Sequence, residues 1–271
     1  MAPGLHAETV TLRYDERTIS RDLSLAIPDG SFTVIVGPNA CGKSTLLRSL
    51  ARLLRPASGR IVLDGRDIRD YPAKDVARRL GLLPQTATAP SGITVADLVA
   101  RGRFPHQSFL RQFSKADEAA VALAMRATHV DGLADRLVDE LSGGQRQRVW
   151  IALVLAQETP ILLLDEPTTF LDIAHQIELL DLLADLNRAG RTIVAVLHDL
   201  NHACRYASHL VAMRDGAIHA EGPPSAIVDE PLVEAVFGLA SVIISDPVSK
   251  TPLIVPKGRP AAGTRPSGAQ A

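Results

Sequence analysis

The stretch GPNACGKS, Gly37 to Ser44, decides the fold of this chain. In it, two glycines bracket four residues and are followed by a lysine and a hydroxyl residue. The apolar, β-branched run Phe32 to Val36 comes before it, and a helical run starts at Lys43. A strand, a glycine-rich loop and a helix in that order predict a phosphate-binding loop, in which the helix N-terminus adds about half a positive charge. We therefore expect Lys43 to reach the outer phosphates and Ser44 to bind magnesium.

Two further apolar strands end in residues that suit the same chemistry. ILLLDEP, Ile161 to Pro167, ends in two adjacent carboxylates, and the run Thr192 to Leu197 ends at His198. Ligands collect at the carboxyl ends of buried parallel strands. We expect Asp165 to hold magnesium through its water shell and Glu166 to polarise the water that attacks a γ-phosphate. His198 could hydrogen-bond that phosphate or that water.

The rest of the chain predicts an α/β fold with a parallel, doubly wound sheet. Strands are expected at 80–83, 161–164, 192–197 and 210–213. A helix is expected at 173–188, between the second and the third of these strands. Helical periodicity between Thr94 and Gln157, with a capping start at Ser114 and Asp117, indicates a helical subdomain inserted at about 90–157.

Local signals predict several boundaries. The first helix should run from Lys43 to Leu54 and stop at Arg55, because Pro56 disfavours helical geometry in the residue before it. Ile61 to Leu63 should be a strand closed by an Asp-Gly turn. The Pro-, Gly- and Ala-rich segment 257–271 has little to bury and is predicted to be disordered.

Composition excludes several classes of protein. The formal net charge is -1, from 29 basic and 30 acidic residues, so nothing favours a nucleic acid partner. The apolar runs are much shorter than the roughly 18 residues of a membrane span, and Met1 to Glu8 does not resemble a secretory signal. Two cysteines, Cys41 and Cys204, fit a reducing compartment, and either could be a small buried apolar residue.

A second glycine motif makes the family resemblance specific. Leu141 to Gln145 reads LSGGQ at the opening of an apolar helix, where Ser142, Gly143 and Gly144 would form a second anion site. The motif resembles the signature of ATP-binding cassette (ABC) ATPases, which in that family acts on the nucleotide held by the opposite subunit of a head-to-tail dimer. The resemblance implies a P-loop NTPase fold of the ABC type over residues 7–256, with a parallel-sheet core, an N-terminal antiparallel β subdomain and the helical insert.

The same resemblance implies ATP hydrolysis with Mg²⁺ and assigns further residues. Tyr14 resembles the aromatic residue that stacks on adenine. Gln85 resembles the glutamine that contacts magnesium and the attacking water, although it could be an exposed polar residue after a proline. Leu171-Asp172 resembles the loop that couples the two active sites of the dimer.

The implied site has three parts. The catalytic residues are Glu166, His198, Gln85 and Lys43. The magnesium ligands are Ser44, Gln85 and Asp165. The nucleotide-binding residues are Tyr14, Gly37, Pro38, Asn39, Ala40, Cys41, Gly42, Lys43, Ser44, Thr45, Ser142, Gly143, Gly144, Gln145 and Asp172.

The phosphate loop departs from the family pattern at one point. Many cassettes carry Gly-Ala, Gly-Ser or Gly-Cys where this chain has Ala40-Cys41. Alanine enters positive φ less easily than glycine. Cys41 lies near a helix N-terminus, so its thiolate is expected to be favoured and its alkylation to block ATPase activity.

Length and layout favour a transporter among the cassette classes. The gap between the motifs cannot contain the long coiled coil of the repair ATPases, and translation factors of this type carry two cassettes. The expected partners are a second copy of the chain, integral membrane permease subunits docked at the groove beside Gln85 and the helical insert, and, indirectly, a periplasmic or lipoprotein substrate-binding protein. The expected location is the cytoplasmic face of the membrane.

Resemblance alone indicates the cargo. The segments Arg101 to Phe109, Glu166 to Gln176 and Val236 to Arg259 look like those of ferric siderophore and cobalamin importers, and the last segment favours siderophores. A cobalamin or haem importer stays open, and Arg101, Arg103 and Arg111 could equally form a solvated face. A different class also stays open, a module that dimerises on ATP without a transport role, although Glu166 and His198 favour hydrolysis.

Overall fold

A computed structural model describes residues 4–14, 16–107 and 113–258. Three sequence-based expectations lie outside these residues in whole or in part. They are the disordered tail beyond Gly258, the end of the cargo-related segment at Phe109, and the solvated face at Arg111.

The described residues form a succession of strands and helices. The strands are β1 (Leu5–Tyr14), β2 (Arg17–Ile27), β3 (Phe32–Val36), β4 (Ser58–Leu63), β5 (Arg66–Asp67), β6 (Leu80–Leu83), β7 (Ile161–Asp165), β8 (Thr192–Val196), β9 (His209–Arg214), β10 (Ala217–Gly222), β11 (Ser241–Ser245) and β12 (Pro252–Pro256). The α-helices are α1 (Lys43–Leu50), α2 (Ala73–Ala77), α3 (Val95–Ala100), α4 (Lys115–Ala127), α5 (Gly143–Ala156), α6 (Ile173–Arg188), α7 (Leu200–Tyr206), α8 (Pro224–Ile227) and α9 (Glu230–Phe237).

A six-stranded sheet in the order β10-β9-β3-β8-β7-β6 forms the centre of the fold. All its strands are parallel except β10, which forms an antiparallel hairpin with β9 at the edge. Every residue of β3, β7 and β8 is buried, which explains why these strands are continuous apolar runs in the sequence. The predicted parallel sheet is therefore present, and its central strands end at one common edge.

An antiparallel sheet in the order β2-β1-β4-β5 covers one side of this core. Its apolar residues share a buried cluster with Leu46, Leu47 and Leu50 of α1, so that helix lies between the two sheets. The turn at Asp64 and Gly65 closes β4 and β5 with positive φ at both residues (49° and 78°), as the type I′ turn predicted from this dipeptide requires.

The described residues between β6 and β7, where the sequence predicts the insert, include the helices α3, α4 and α5. The helices α3 and α4 both pack on α5. The start of α4 has the predicted capping box, in which Ser114 and Asp117 each accept from the other's backbone N–H. The boundaries 7–256 and about 90–157 stay predictions. None of the helices in the part of the chain that the structure describes is long and apolar enough to cross a membrane.

Two features differ from the prediction. The first helix ends at Leu50 rather than Leu54, because Arg52 adopts a left-handed conformation (φ 62°) and the N–H groups of Leu53 and Leu54 both turn back to the carbonyl of Arg48. The hairpin β11–β12 was not predicted as strands. It is short and half exposed, so its sequence carries little of the pattern of a buried strand.

Arg103 forms a buried ion pair with Asp117 and also contacts residues at the end of α5 and just beyond it. Arg103 donates from Nε to Asp117 Oδ1 (2.8 Å), and from one Nη to the Ala156 carbonyl (2.7 Å) and to Glu158 Oε2 (2.7 Å). Hydrogen bonds from Ser114 and from Arg103 lower the pKa of Asp117. The sequence left open a solvated role for Arg103, and its burial excludes that role for this residue.

We expect Arg103→Met to lower the free energy of unfolding by roughly 3 kcal/mol at neutral pH, because it leaves the Asp117 carboxylate buried without its cation. Urea unfolding measures this loss. Because the pKa of Asp117 is lowered in the folded state, its stabilising contribution is present above the ordinary carboxyl pKa of about 3.9 and is lost as the pH falls below it. The difference in free energy of unfolding between the variant and the parent should therefore shrink as the pH falls.

The control is Arg69→Met, which removes a more exposed ion pair with Asp67. The free energy of unfolding should fall much less in Arg69→Met than in Arg103→Met. Equal losses in the two variants would contradict the importance of burial.

Candidate functional site

The loop between β3 and α1 surrounds the amino group of Lys43. The Nζ atom of this buried lysine donates to the carbonyls of Gly37 (2.9 Å) and Pro38 (2.8 Å). Gly37 has a φ of 153°, and a Cβ there would lie 2.2 Å from the carbonyl oxygen of Met213. Gly42 precedes α1 with a φ of 105°. These two glycines allow the backbone to curl under the end of the helix, which is the conformation of a phosphate-binding loop.

Ala40 adopts the conformation that its residue type disfavours. Its φ is 60°, in the left-handed region where glycine is usual. The departure from the family pattern therefore does not change the course of the loop. The backbone strain at a non-glycine residue in this region is about 1 kcal/mol.

Asp165, at the end of β7, contacts the first turn of α1. The Ser44 hydroxyl donates to Asp165 Oδ1 (2.8 Å), whereas Oδ2 is buried and has no hydrogen-bond partner among the described residues. Burial raises the pKa of Asp165, and the hydrogen bond from Ser44 partly opposes this effect. An unpartnered carboxylate oxygen next to a hydroxyl is a hard oxygen donor set of the kind that Mg²⁺ prefers. The residues present therefore fit the predicted magnesium site.

Glu166 and His198 meet at the same sheet edge, as the sequence predicts. His198 Nε2 lies 2.7 Å from Glu166 Oε1, and the side chain of Glu166 is 13% exposed while that of His198 is 48% exposed. Glu166 has a φ of 54°, which turns the chain sharply as it leaves β7. Thr169 donates to the other carboxylate oxygen at 3.4 Å. Both residues line a cleft, in which His198 is the more exposed of the two.

This cleft has a volume of ≈ 860 Å³ and joins most of the predicted residues. Tyr14, which is 59% exposed, lines it together with Gln85, Glu166 and His198. The remaining lining residues are Glu16, Arg17, Ile19, Asn39, Ala40, Gly42, Lys43, Ser44 and Thr45.

Three of the lining residues were not predicted, namely Glu16, Arg17 and Ile19. The signal that could have found them is the hairpin between β1 and β2, since Arg17 pairs directly with Tyr14 across it. Side chains alternate between the two faces of a strand, so only some residues of the hairpin border the phosphate loop; Arg13 and Thr18 line another cavity.

The signature residues line a different cleft, of ≈ 450 Å³. Ser142 caps α5 by accepting from the N–H of Gln145 (3.2 Å), and Asp172 caps α6 by accepting from the N–H of His175 (2.9 Å). Both caps lie in this second cleft, together with Gly143, Gly144, Arg148, Phe170 and Leu171. Phe170 is among the most exposed large apolar residues. Within one chain, therefore, neither the signature nor Asp172 joins the cleft of the phosphate loop.

The expectation of a favoured thiolate at Cys41 is wrong. The side chain is buried, and loss of solvent raises the pKa of the thiol in spite of the nearby Lys43 ammonium. The helix N-terminus and the lysine favour the anion, but desolvation is the larger effect at this position. Cys41 is accordingly a small residue of the loop with a buried side chain.

The chain is similar in sequence to known transport proteins. A family model described as ABC transporter matches residues 20–169. The ferric enterobactin transport ATP-binding protein FepC of Escherichia coli is 60% identical over 96% of each chain, and the probable siderophore transport system ATP-binding protein YusV of Bacillus subtilis is 55% identical over 94% of each. The hemin import ATP-binding protein HmuV of Myxococcus xanthus is 41% identical over 88% of this chain and 91% of its own.

Solved structures agree with this result. The inward-facing form of a putative metal-chelate type ABC transporter has a TM-score of 0.79 at 29% identity, covering 95% of this chain and 98% of its own. The dimeric bacterial cassette MJ0796 has a TM-score of 0.74 at 28% identity, covering 81% of this chain and 98% of its own. The predicted fold class, an ABC-type P-loop NTPase, is confirmed.

We expect both cysteines to resist alkylation in the folded chain. Burial raises the pKa of Cys41, and it raises that of Cys204 to about 12, so at pH 8 the reactive thiolates are scarce and shielded. Labelling by iodoacetamide, followed by mass spectrometry, should be at least about tenfold slower than in the same chain unfolded in urea. Rapid modification of Cys41 in the folded chain would contradict this account of the thiol.

Proposed function

Since this chain belongs to the ABC transporter family of ATP-hydrolysing cassettes, we propose that it powers the import of ferric siderophores. The observation that carries the proposal is the 60% identity, over 96% of both chains, to a ferric enterobactin transport ATP-binding protein. The relative named for hemin import is only 41% identical, so a siderophore cargo is favoured over haem.

The cleft next to the phosphate loop is proposed to bind the nucleotide. The adenine stacks on Tyr14, an exposed residue that lines the cleft. The loop from Gly37 to Thr45 surrounds the phosphates with its N–H groups, and Lys43 exchanges its two carbonyl partners for phosphate oxygens. The exchange keeps the buried ammonium paired in both states.

Ser44, Asp165 and Gln85 are proposed to hold Mg²⁺. The buried Oδ2 of Asp165 has no partner among the described residues, and the water shell of a bound ion would provide one. When bound, the ion would neutralise charge on the β- and γ-phosphates. Ser44 would keep its contact with Asp165 and so hold the two protein donors together.

Glu166 is proposed to orient and activate the water that attacks the γ-phosphate. The carboxylate is largely buried but reaches the cleft, where its Oε1 lies 2.7 Å from His198 Nε2. A base must lie within hydrogen-bond reach of the proton that it takes, and this position borders the phosphate loop. His198 would contact Glu166 and hydrogen-bond the γ-phosphate or the attacking water.

A second copy of the chain is proposed to complete the site. The signature cleft and the phosphate cleft are lined by separate sets of residues, which favours a nucleotide held between two chains. In a head-to-tail pair, Ser142 to Gln145 of one copy faces the phosphates held by the other, and Asp172 lies at the junction. ATP favours the closed pair and its hydrolysis the open pair, which is a shift between two conformations driven by differential affinity.

The pair is proposed to act on integral membrane permease subunits at the cytoplasmic face of the membrane. The groove beside Gln85 and the helical insert would receive the permease, and a periplasmic or lipoprotein substrate-binding protein would deliver cargo from the other side. The likeness to a metal-chelate type transporter over 95% of this chain supports this arrangement.

We expect Glu166→Gln to lower kcat for ATP by about 10²- to 10³-fold, because an amide cannot accept the proton of the attacking water. ATP binding should survive, so the variant should accumulate as an ATP-bound dimer in size-exclusion chromatography. The matched control is Glu234→Gln, an exposed position on α9. Near-parental turnover in Glu166→Gln would refute the role of this residue and would favour the alternative of an ATP-gated module.

The cargo is tested in cells that carry either the parent chain or Lys43→Ala. We expect the variant to abolish uptake of radiolabelled ferric enterobactin, because the loop loses the ammonium that pairs with the outer phosphates. Labelled cobalamin and hemin serve as parallel cargoes. Loss of uptake for one of these two alone would keep the mechanism and replace the cargo.

A further inference from the structure

The C-terminal hairpin β11–β12 is attached to the helix that follows His198. The side chain of Asn201, in the first turn of α7, forms two hydrogen bonds with Ile254 in β12. Its Oδ1 accepts from the Ile254 N–H (2.7 Å), and its Nδ2 donates to the Ile254 carbonyl (3.3 Å). The amide group thus pairs with one residue of β12 as a neighbouring strand would.

The residue that Asn201 holds is fixed by packing. Ile254 is buried, and it belongs to the same apolar core as Ala203 and Cys204 of α7 and Val233 of α9. On its other edge, Ile254 pairs with Ile243 of β11. The two hydrogen bonds therefore tie the start of α7 to a buried residue of the hairpin, although most of the hairpin is exposed or half exposed.

The start of α7 is in turn rigidly connected to His198. Asp199 caps the helix by accepting from the N–H of His202 (2.8 Å), and its carbonyl accepts from the N–H of Ala203 (3.0 Å). The first turn is thus closed immediately after His198. A displacement of this turn would move the backbone of His198 with it.

His198 itself has few contacts that could hold it in place. Its side chain is 48% exposed, and Glu166 is its one polar partner among the described residues. The position of the imidazole therefore depends on the backbone that carries it. A shift that lengthens the 2.7 Å separation would weaken the contact, since hydrogen bonds require close approach.

We infer that Asn201 is a positioning residue that holds His198 against Glu166, with the hairpin β11–β12 as its anchor. The inference rests on the proposed role of His198 in hydrolysis. It gives the hairpin, which lies outside both clefts, a part in setting the rate of turnover.

Asn201→Ala removes both hydrogen bonds and replaces no residue that lines the nucleotide cleft. We expect kcat to fall about tenfold while KM for ATP stays within about twofold, because misplacement of a reacting group costs rate rather than binding. Asn201→Asp keeps the acceptor for the Ile254 N–H, and a carboxylate suits the first turn of a helix, so its loss of kcat should be smaller.

The matched control is Asn187→Ala. Asn187 also connects a helix to backbone carbonyls, those of Gly30 and Arg191 (2.8 Å each). These two residues precede β3 and β8, so the contact lies at the ends of the strands opposite to the phosphate loop. Asn187→Ala should lose thermal stability with no change in kcat. If Asn201→Ala and Asn187→Ala lose stability equally and both keep parental kcat, the inference is overturned.

A double variant separates positioning from general destabilisation. If Asn201 acts through His198, then adding Asn201→Ala to His198→Ala should cause little further loss of kcat, whereas independent effects would multiply and overturn the inference. Parental turnover in His198→Ala alone would reject the role of His198 itself. That result is distinct from a failure confined to Asn201.

Discussion

The pairing of three buried parallel strands is the constraint on which the site depends. In the central sheet, Ile35 of β3 pairs with Val196 of β8, which also pairs with Asp165 of β7. The three strands therefore end at the same level. Since the chain leaves each strand at that level, the phosphate loop, Glu166 and His198 emerge side by side although they are far apart in sequence. No contact between the phosphate loop, Glu166 and His198 is needed to bring them together.

Much of this arrangement could be predicted from the sequence because its signals are local. A phosphate loop is contiguous, a capping box spans four residues, and a buried parallel strand is a continuous apolar run. Parallel strands share an edge, so the meeting of Glu166 and His198 followed from strand ends alone. The fold class and the cleft were predictable for these reasons.

What the sequence could not provide depends on neighbours that are distant along the chain. The pKa of Cys41 depends on how completely the surrounding core excludes water, and the helix N-terminus next to it suggested the opposite shift. The contact between Asn201 and Ile254 joins residues that no motif connects. Arg17 lines the nucleotide cleft only because a hairpin places it opposite Tyr14. In each case, the missing information is tertiary.

The left-handed backbone at Glu166 has a consequence for the balance between stability and activity. A non-glycine residue with φ near 54° carries about 1 kcal/mol of strain, and the buried strand before it offsets this cost. Glycine at this position would relax the backbone, yet it would remove the carboxylate. Selection for stability alone would therefore discard the residue that the reaction needs. Glutamate at this position is a compromise between stability and activity. The fold tolerates its strain because every residue of β7 is buried.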